Sequence, residues 1–329
     1  MKRAIRALTP AMLLLALGFA AGFILPGITP AQSATVHVGK SSAVAFNFDP
    51  VDIGIRQKIF ESVGLDVEVV NLAGSAKLQQ AMIAGSVDFG LGAGTDIAFL
   101  VKGAPEIAVG AIALTPALFG VTVPYDSPVH SLADLKGKRM GISTVGSLTQ
   151  WLALQLERKE GWPPGSLTFV ADGSSPPPQL AALKTGQIDA QISSVAFGWD
   201  LEQYKEGRLV APASDFVGPF LMNVIFANDS IVQRDPDTIR RFLNGWYQAV
   251  DFMARHKAET VAIARSIDHY SAEVEDKQYD VVMPSLSRDG RFPPEAIATV
   301  RHSFVELHIL DREPDMSKYL TERFLQPAR

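Results

Sequence analysis

The chain contains no cysteine. That absence excludes a disulfide scaffold, thiolate-held zinc or iron–sulfur centres, a thiol nucleophile and a lipid-modified N-terminal cysteine. Basic residues are not in surplus: 30 Lys and Arg stand against 35 Asp and Glu, a formal charge of −5. A nucleic-acid binder needs excess cations to neutralise phosphates, so no nucleic-acid partner is expected. The histidines, His37, His130, His256, His269, His302 and His308, form no metal-spaced cluster, and no metal or cofactor is expected. Beyond residue 33 no apolar stretch is long and uncharged enough to span a bilayer. What is present is ordinary for a folded protein: 329 residues, 47% hydrophobic and 20% charged, enough for one large domain or two medium ones.

The N-terminus has the order of a secretory signal peptide: Lys2, Arg3 and Arg6, an apolar run over 11–25, then small residues to Ala31, Gln32 and Ser33. Cleavage after Ser33 fits the small pair Ala31 and Ser33. Cleavage after Ala34 is the near alternative, and an uncleaved membrane anchor is the other reading of so long a run. No twin-arginine pair is present, so the general secretion route is expected. Removing 1–33 removes three cations and no acid, leaving a formal charge of −8 over 296 residues. The expected product is a soluble exported protein, in a Gram-negative periplasm or tethered at a cell surface.

After this leader, strand and helix patterns alternate. Strands are expected at 35–39, 66–70, 87–90 and 107–114. Helices are expected from Asp49-Pro50 to Gly64, from Ser75 to Gly85 and over 95–101. The pattern then restarts with strands at 118–123, 139–142, 167–170 and 188–192, and helices at 147–159 and 177–185. A third strand is expected at 220–226. Helices follow at 235–255, 258–266, 271–282, 294–307 and 316–324. Short connections in such an alternation imply parallel sheets covered by helices.

An internal echo decides the architecture. Leu78-Gln-Gln-Ala-Met-Ile-Ala-Gly85-Ser-Val-Asp88 is matched by Gln179-Leu-Ala-Ala-Leu-Lys-Thr-Gly186-Gln-Ile-Asp189, an offset of 101 residues for both the glycine and the aspartate. Solenoid repeats are several-fold shorter, so this spacing means two similar α/β lobes. The expected division is 34–122 for the first part of lobe 1, 123–221 for lobe 2, and 222–329 returning to lobe 1 with the C-terminal helices. Two crossing strands, near Val121–Tyr125 and Gly218–Val224, would form the hinge. Open α/β sheets bind ligands at the carboxyl ends of their strands, so facing lobes place a site in the cleft between them.

Four stretches carry a family resemblance: Phe60 to Val69, Leu78 to Leu91, Leu132 to Ile142 with Gly146-Ser147 after it, and Ala182 to Ala190. They look like a first helix end and second strand, an "A-x-x-x-G-x-V-D-x-G" turn, a "DLKGK" turn entering the second lobe, and a second "ALxxGxxDA" copy. Together they resemble the periplasmic substrate-binding proteins of ABC importers, in the nitrate/sulfonate/taurine group that includes thiamine-precursor binders. The resemblance implies the type II periplasmic binding protein fold, α/β with two hinge strands, closing around one small solute. It also implies a monomer that delivers its ligand to a membrane permease driven by a cytoplasmic ATPase.

Site candidates follow from the cleft and the resemblance. Phe46 and Asn47, in the loop after the first strand, are expected as an aromatic wall and an amide contact; core packing is the alternative for Phe46. Gly74 and Ser75, Gly94, Thr95 and Asp96, and Thr144, Ser147, Leu148 and Thr149 stand at helix starts, where free N–H groups suit an anion. Simple helix capping is the competing role of the hydroxyls. Ser193, Ser194 and Asn223 complete the set. Asp96 would repel an anion if it faced the cleft, and would be a mere dipole partner if it sat in the first helical turn. No Lys or Arg lies in these loops except Lys40, which leaves a neutral or zwitterionic solute open.

Two look-alikes fail. Gly39-Lys40-Ser41 lacks the earlier glycine of a phosphate loop, since position 34 is Ala, and Gly90-Leu-Gly-Ala-Gly94 lacks the spacing of a dinucleotide turn. Three functions are then weighed. A solute receptor needs only binding energy to drive lobe closure. A sensory module for a membrane receptor or kinase would use the same cleft. An enzyme is disfavoured: the related thiamine-pyrimidine synthases carry a cysteine-rich motif that this chain lacks, and no nucleophile elbow or zinc motif is present.

Overall fold

The computed structural model describes residues 34–327, and the signal-peptide reading lies outside them. Two five-stranded sheets share one topology. The first contains β1 (Ala34–Lys40), β2 (Leu65–Asn71), β3 (Phe89–Ala93) and β4 (Glu106–Ala113). Around them run α1 (Asp49–Arg56), α2 (Ile59–Ser62), α3 (Ser75–Ile83) and α4 (Ile97–Val101). The second contains β5 (Phe119–Pro124), β6 (Arg139–Ile142), β7 (Thr168–Ala171), β8 (Ala190–Ser194) and β9 (Gly207–Pro212). Its helices are α5 (Leu148–Lys159), α6 (Pro176–Lys184) and α7 (Val195–Gln203). The chain then returns through β10 (Asn223–Asn228) to α8 (Asp229–Arg234), α9 (Pro236–Arg255), α10 (Lys257–Asp268), α11 (Ala272–Val282) and α12 (Pro294–Glu306).

The orders are β2-β1-β3-β10-β4 and β7-β6-β8-β5-β9. Each sheet is mixed: β10 runs antiparallel to β3 and β4, and β5 runs antiparallel to β8 and β9. Both reversed strands begin directly after the chain crosses between sheets, at 114–118 and 213–222, so their direction follows from the crossing. The first crossing precedes the boundary at 122 read from the sequence, and β5 lies wholly in the second sheet. The crossing segments are joined by backbone hydrogen bonds from Phe220 N–H to the Leu114 carbonyl at 3.0 Å and from Met222 N–H to the Ala113 carbonyl at 2.9 Å.

The echo has a structural cause. Gly85 and Gly186 take φ of 67° and 66°, the left-handed conformation that ends a helix in a tight turn. Asp88 then accepts the His37 N–H at 2.9 Å and Asp189 accepts the Arg139 N–H at 2.8 Å, tying each turn to the equivalent strand of its sheet, β1 or β6. One sequence pattern thus closes the same corner twice.

Local order departs from expectation in four places. The helix from Asp49 breaks at Lys58, whose φ is 56°, into α1 and α2. The strands expected at 87–90, 188–192 and 220–226 sit two or three residues later. Strand β9 and helix α7 had no clear periodic signal. The helix expected at 316–324 is a single 3-10 turn, Met316–Lys318. Its chain instead lies along β4, with Ala108 and Leu320 bridged, and Leu286 bridged to Ala113, which covers the sheet's open edge.

Helix α9 packs the first sheet from outside. Its buried Ile239, Phe242, Leu243, Trp246, Val250 and Met253 recur at helical spacing. Phe242 stacks on Phe89 at 4.1 Å and on Phe60 at 5.4 Å between ring centroids. Among the described residues, no helix is long and apolar enough to cross a membrane.

Candidate functional site

The two sheets point strand ends at a shared cavity of about 200 Å³. An apolar cavity of ~150 Å³ holds benzene, so this volume suits one ring with a short substituent. The first sheet contributes Ser41, Ser42 and Val44 after β1, Ala73 to Ala76 at the head of α3, and Ala93 at the end of β3. The second contributes Ser143, Thr144 and Ser147 to Thr149 around the head of α5, Gly173 and Ser174 after β7, and Ile192 to Ser194. Leu118 and Phe119 enter from the first crossing, Asn223 from β10, and Phe48, Phe197 and Tyr270 supply aromatic surface. Among the described residues, no Lys, Arg, His, Asp or Glu lines it. Lys40, next to Ser41, is 1% exposed and its Nζ is spent on Asp52 at 2.8 Å.

The head of α5 is built around one hydroxyl. Thr149 Oγ1 accepts the Ser143 N–H at 2.8 Å and lies 2.9 Å from the hydroxyls of both Ser143 and Ser147. Ser147 caps the helix by accepting the Gln150 N–H at 3.4 Å. Across the cavity, Gly74 caps α3 with no side chain at all, at φ 95°, leaving the first N–H groups of that helix open. Ser194 caps α7 through the Ala196 N–H, while the Val195 N–H goes to the Leu118 carbonyl at 2.8 Å. Helix α6 differs: Pro176, Pro177 and Pro178 occupy its first turn, so three N–H donors are missing there and its end is apolar wall. Open backbone donors therefore face the cavity from α3 and α5, one helix from each sheet.

Nine of the sequence-derived candidates come together on this lining: Gly74, Ser75, Thr144, Ser147, Leu148, Thr149, Ser193, Ser194 and Asn223. Ser193 is 4% exposed, and its hydroxyl has no hydrogen-bond partner among the described residues. The other five candidates are placed off this lining. Phe46 is fully buried, edge-on to Tyr279 at 6.2 Å; the 3-10 turn Phe46–Phe48 turns Phe48 to the cavity instead. Asn47 stands one layer back, donating to Asn223 Oδ1 at 2.7 Å, and so orients an amide that does line the cavity. Gly94, Thr95 and Asp96 form a 3-10 turn tucked under the second crossing, with the Gly94 N–H bonded to the Met222 carbonyl at 3.2 Å. Thr95 and Asp96 are each 3% exposed.

Sequence reasoning missed Phe48, Phe119, Phe197, Gln179 and Tyr270. The prolines before Gln179 marked a helix start and could have pointed there. Tyr270 had no local signal: it follows His269, a non-glycine residue at φ 64°, which carries the chain from α10 back toward the cavity. Among the described residues, no group of three His, Asp or Glu could hold a metal ion.

Gly94 is fixed by contact, since a Cβ there would collide with the carbonyl oxygen of Leu221. Gly94→Ala must push the second crossing away from β3. It is expected to cost about 3 kcal/mol or more, because backbone rather than a flexible side chain must yield. Thermal unfolding measures this, and an unchanged melting temperature would show that the crossing segment gives way freely.

Two sheets of one topology, two crossings and a cavity lined from both sides define the class: this is the periplasmic binding protein fold. A family model described as NMT1/THI5 like matches residues 45–260, well over half the chain, and the chain belongs to that family. A protein of Brucella abortus (strain 2308) named as a binding protein is 26% identical over 278 residues, covering 81% of this chain and 84% of its own. A Saccharomyces cerevisiae 4-amino-5-hydroxymethyl-2-methylpyrimidine phosphate synthase is 24% identical over 220 residues, 62% of each chain. In fold, the chain is similar to the alkanesulfonate-binding protein SsuA of Xanthomonas axonopodis pv. citri bound to MOPS. That likeness has a TM-score of 0.74 at 19% identity, over 88% of this chain and 99% of that one.

Proposed function

We propose that this protein is an exported solute receptor. It binds one small molecule of the sulfonate, nitrate, taurine or pyrimidine-like class between its lobes and delivers it to an ABC permease. The observation that carries the reading is the cavity itself. It is lined by loops of both sheets, sized for one small ring, and rich in hydroxyls, amides and open helix N–H groups. Such a lining orients and holds a solute. It supports binding over catalysis because, among the described residues, no carboxylate, imidazole or amine stands on it to move a proton or attack a bond. The relationship to binding proteins supports the same reading, and the N-terminal leader supports export to the periplasm.

A thermal-shift screen of sulfonates, nitrate, pyrimidines, aromatic acids and amines, followed by calorimetry, tests it. One class should stabilise the protein with one-to-one stoichiometry. Thr149→Leu replaces the hydroxyl that organises the head of α5 and fills the cavity, and should weaken that binding by about a hundredfold or more, the loss of several hydrogen bonds at once. A broad panel with no stabilising member would overturn the small-solute reading, and full binding by the Thr149 variant would move the site elsewhere.

A further inference from the structure

Helices α3, α5 and α6 all begin at the cavity, but their heads differ in chemistry. The first two offer open N–H groups. Pro176, Pro177 and Pro178 strip the donors from the first turn of α6. The next residue, Gln179, brings an acceptor to the same place. It is 5% exposed and reaches the cavity lining. Its Nε2 donates to the Gly173 carbonyl at 2.9 Å. Only the nitrogen of an amide can face a carbonyl oxygen, so this contact settles which way the group is turned and commits Oε1 as an acceptor. Among the described residues no donor reaches that oxygen. The amide is also held to the rest of the site. The Gly173 N–H donates to the Ser143 carbonyl at 3.2 Å, and the Ser143 N–H donates to Thr149 Oγ1 at 2.8 Å. Consecutive hydrogen bonds therefore fix Gln179 relative to the head of α5. Ser193, from the same sheet, lines the cavity with an unpartnered hydroxyl, which can turn to donate or accept. The anchored amide of Gln179 has no such freedom.

A buried acceptor that a solute covers without supplying a donor loses its hydrogen bond to water and gains none. A well-held solute must therefore give Gln179 a proton donor. Among the described residues no carboxylate lines the cavity to balance a cation, so that donor is uncharged. We propose that Gln179 is a specificity-determining residue of the cleft, and that the solute has two unlike ends. An oxyanion or other acceptor lies at the heads of α3 and α5, and an uncharged N–H donor, an aromatic amine or an amide, lies at the head of α6. This rests on the solute-receptor reading above.

The ortho, meta and para aminobenzenesulfonates carry an uncharged amine at neutral pH, and each has a toluenesulfonate of the same shape that lacks the donor. Calorimetry on the purified protein should find one amino isomer bound about tenfold or more tightly than its methyl counterpart, the cost of leaving a buried acceptor unpaired. The para aminomethyl analogue, a cation at this pH, should bind more weakly than para-toluenesulfonate, because its charge would be buried without a partner. Gln179→Leu fills much of the same space and has no acceptor. It should bind the preferred amino isomer and its methyl counterpart alike. A merely structural role for Gln179 would weaken both compounds together and leave their ratio as it was, and the comparison in the parent protein needs no variant. Equal binding of every amino and methyl pair by the parent, a ratio unchanged in Gln179→Leu, or tighter binding of the cationic probe overturns the proposal alone. Failure of all these sulfonates to bind overturns it together with the sulfonate-class reading.

Discussion

Trp151→Ala is expected to lower the melting temperature by about 10 °C, from a loss of ~3–5 kcal/mol for a buried tryptophan and a few degrees per kcal/mol in a chain of this size. Trp151 is 1% exposed, on the second turn of α5. Its ring stacks on Phe220 of the second crossing at 4.3 Å between centroids. Its Nε1–H donates to Glu306 of α12 at 2.8 Å, where Gln155 also donates at 2.9 Å and Arg158 forms an ion pair. Glu306 thus collects three side chains of α5 on one carboxylate, from a helix packed against the first sheet. Truncating the ring leaves a cavity at the crossing and loosens α5, two residues beyond the Thr149 hydroxyl. Solute affinity should therefore fall with stability. Trp151→Phe keeps most of the stacking and gives up the indole donor, so about 1–2 kcal/mol is expected for the hydrogen bond. Differential scanning calorimetry reads both. An alanine variant that melts with the parent would show that the ring does not tie α5 to the crossing.

The second large effect is a loss of stability as pH rises through neutrality. Asp49, Asp52, Asp268 and Glu275 gather at the junction of α1, α10 and α11, with Lys40 as their buried cation. One lysine, already on Asp52, does not neutralise four acids. Both oxygens of Asp49 and one each of Asp268 and Glu275 have no hydrogen-bond partner among the described residues. Burial, with each acid raising its neighbours, pushes Asp268 up to about 7, Glu275 to about 8, and Asp49 well above its ordinary 3.8. Glu106 behind α3 is likewise pushed up to about 8. In the unfolded chain these groups ionise near pH 4, so the folded protein binds more protons between there and pH 8. Their favourable term is complete below pH 4 and is lost as pH climbs through 7 and 8. Each extra proton is worth about 1.4 kcal/mol per pH unit across that window. The melting temperature should fall by several degrees or more between pH 6 and 8.5. Glu275→Gln, which preserves shape and hydrogen bonding to Gln278, should shallow the slope by about one proton. A melting temperature that stays level or rises over this range would show the acids ionised and solvated in the native state.

Much of the fold was legible because its cues are local. A helix, a left-handed glycine and a strand whose aspartate reaches a neighbouring N–H recur at Gly85 and Asp88 and again at Gly186 and Asp189. Turn geometry and side-chain period need no distant partner to be expressed. The heads of α3 and α5 were legible for the same reason, since small residues and hydroxyls before a helix mark exposed N–H groups. The direction of β5 and β10 was not. It follows from how the chain crosses between sheets, and strands of either direction share the same alternation of side chains.

The site was legible down to its loops and then no further. Phe46 and Phe48 are the same residue type two positions apart, and only the 3-10 turn between them decides that Phe46 enters the core and Phe48 the cavity. Asp96 stands in the right loop, but the second crossing folds that turn inward. Tyr270 arrives from more than two hundred residues beyond Ser41, carried by α10 and α11. By itself the sequence determined two like α/β lobes, a cysteine-free chain, and several of the loops that line the cavity. The tertiary structure alone decided which side chains meet, that no charged residue among those described lines the cavity, and that four acids gather around one lysine. Period and turn chemistry are properties of neighbouring residues, whereas burial, desolvation and contact depend on which distant segments the crossings bring together.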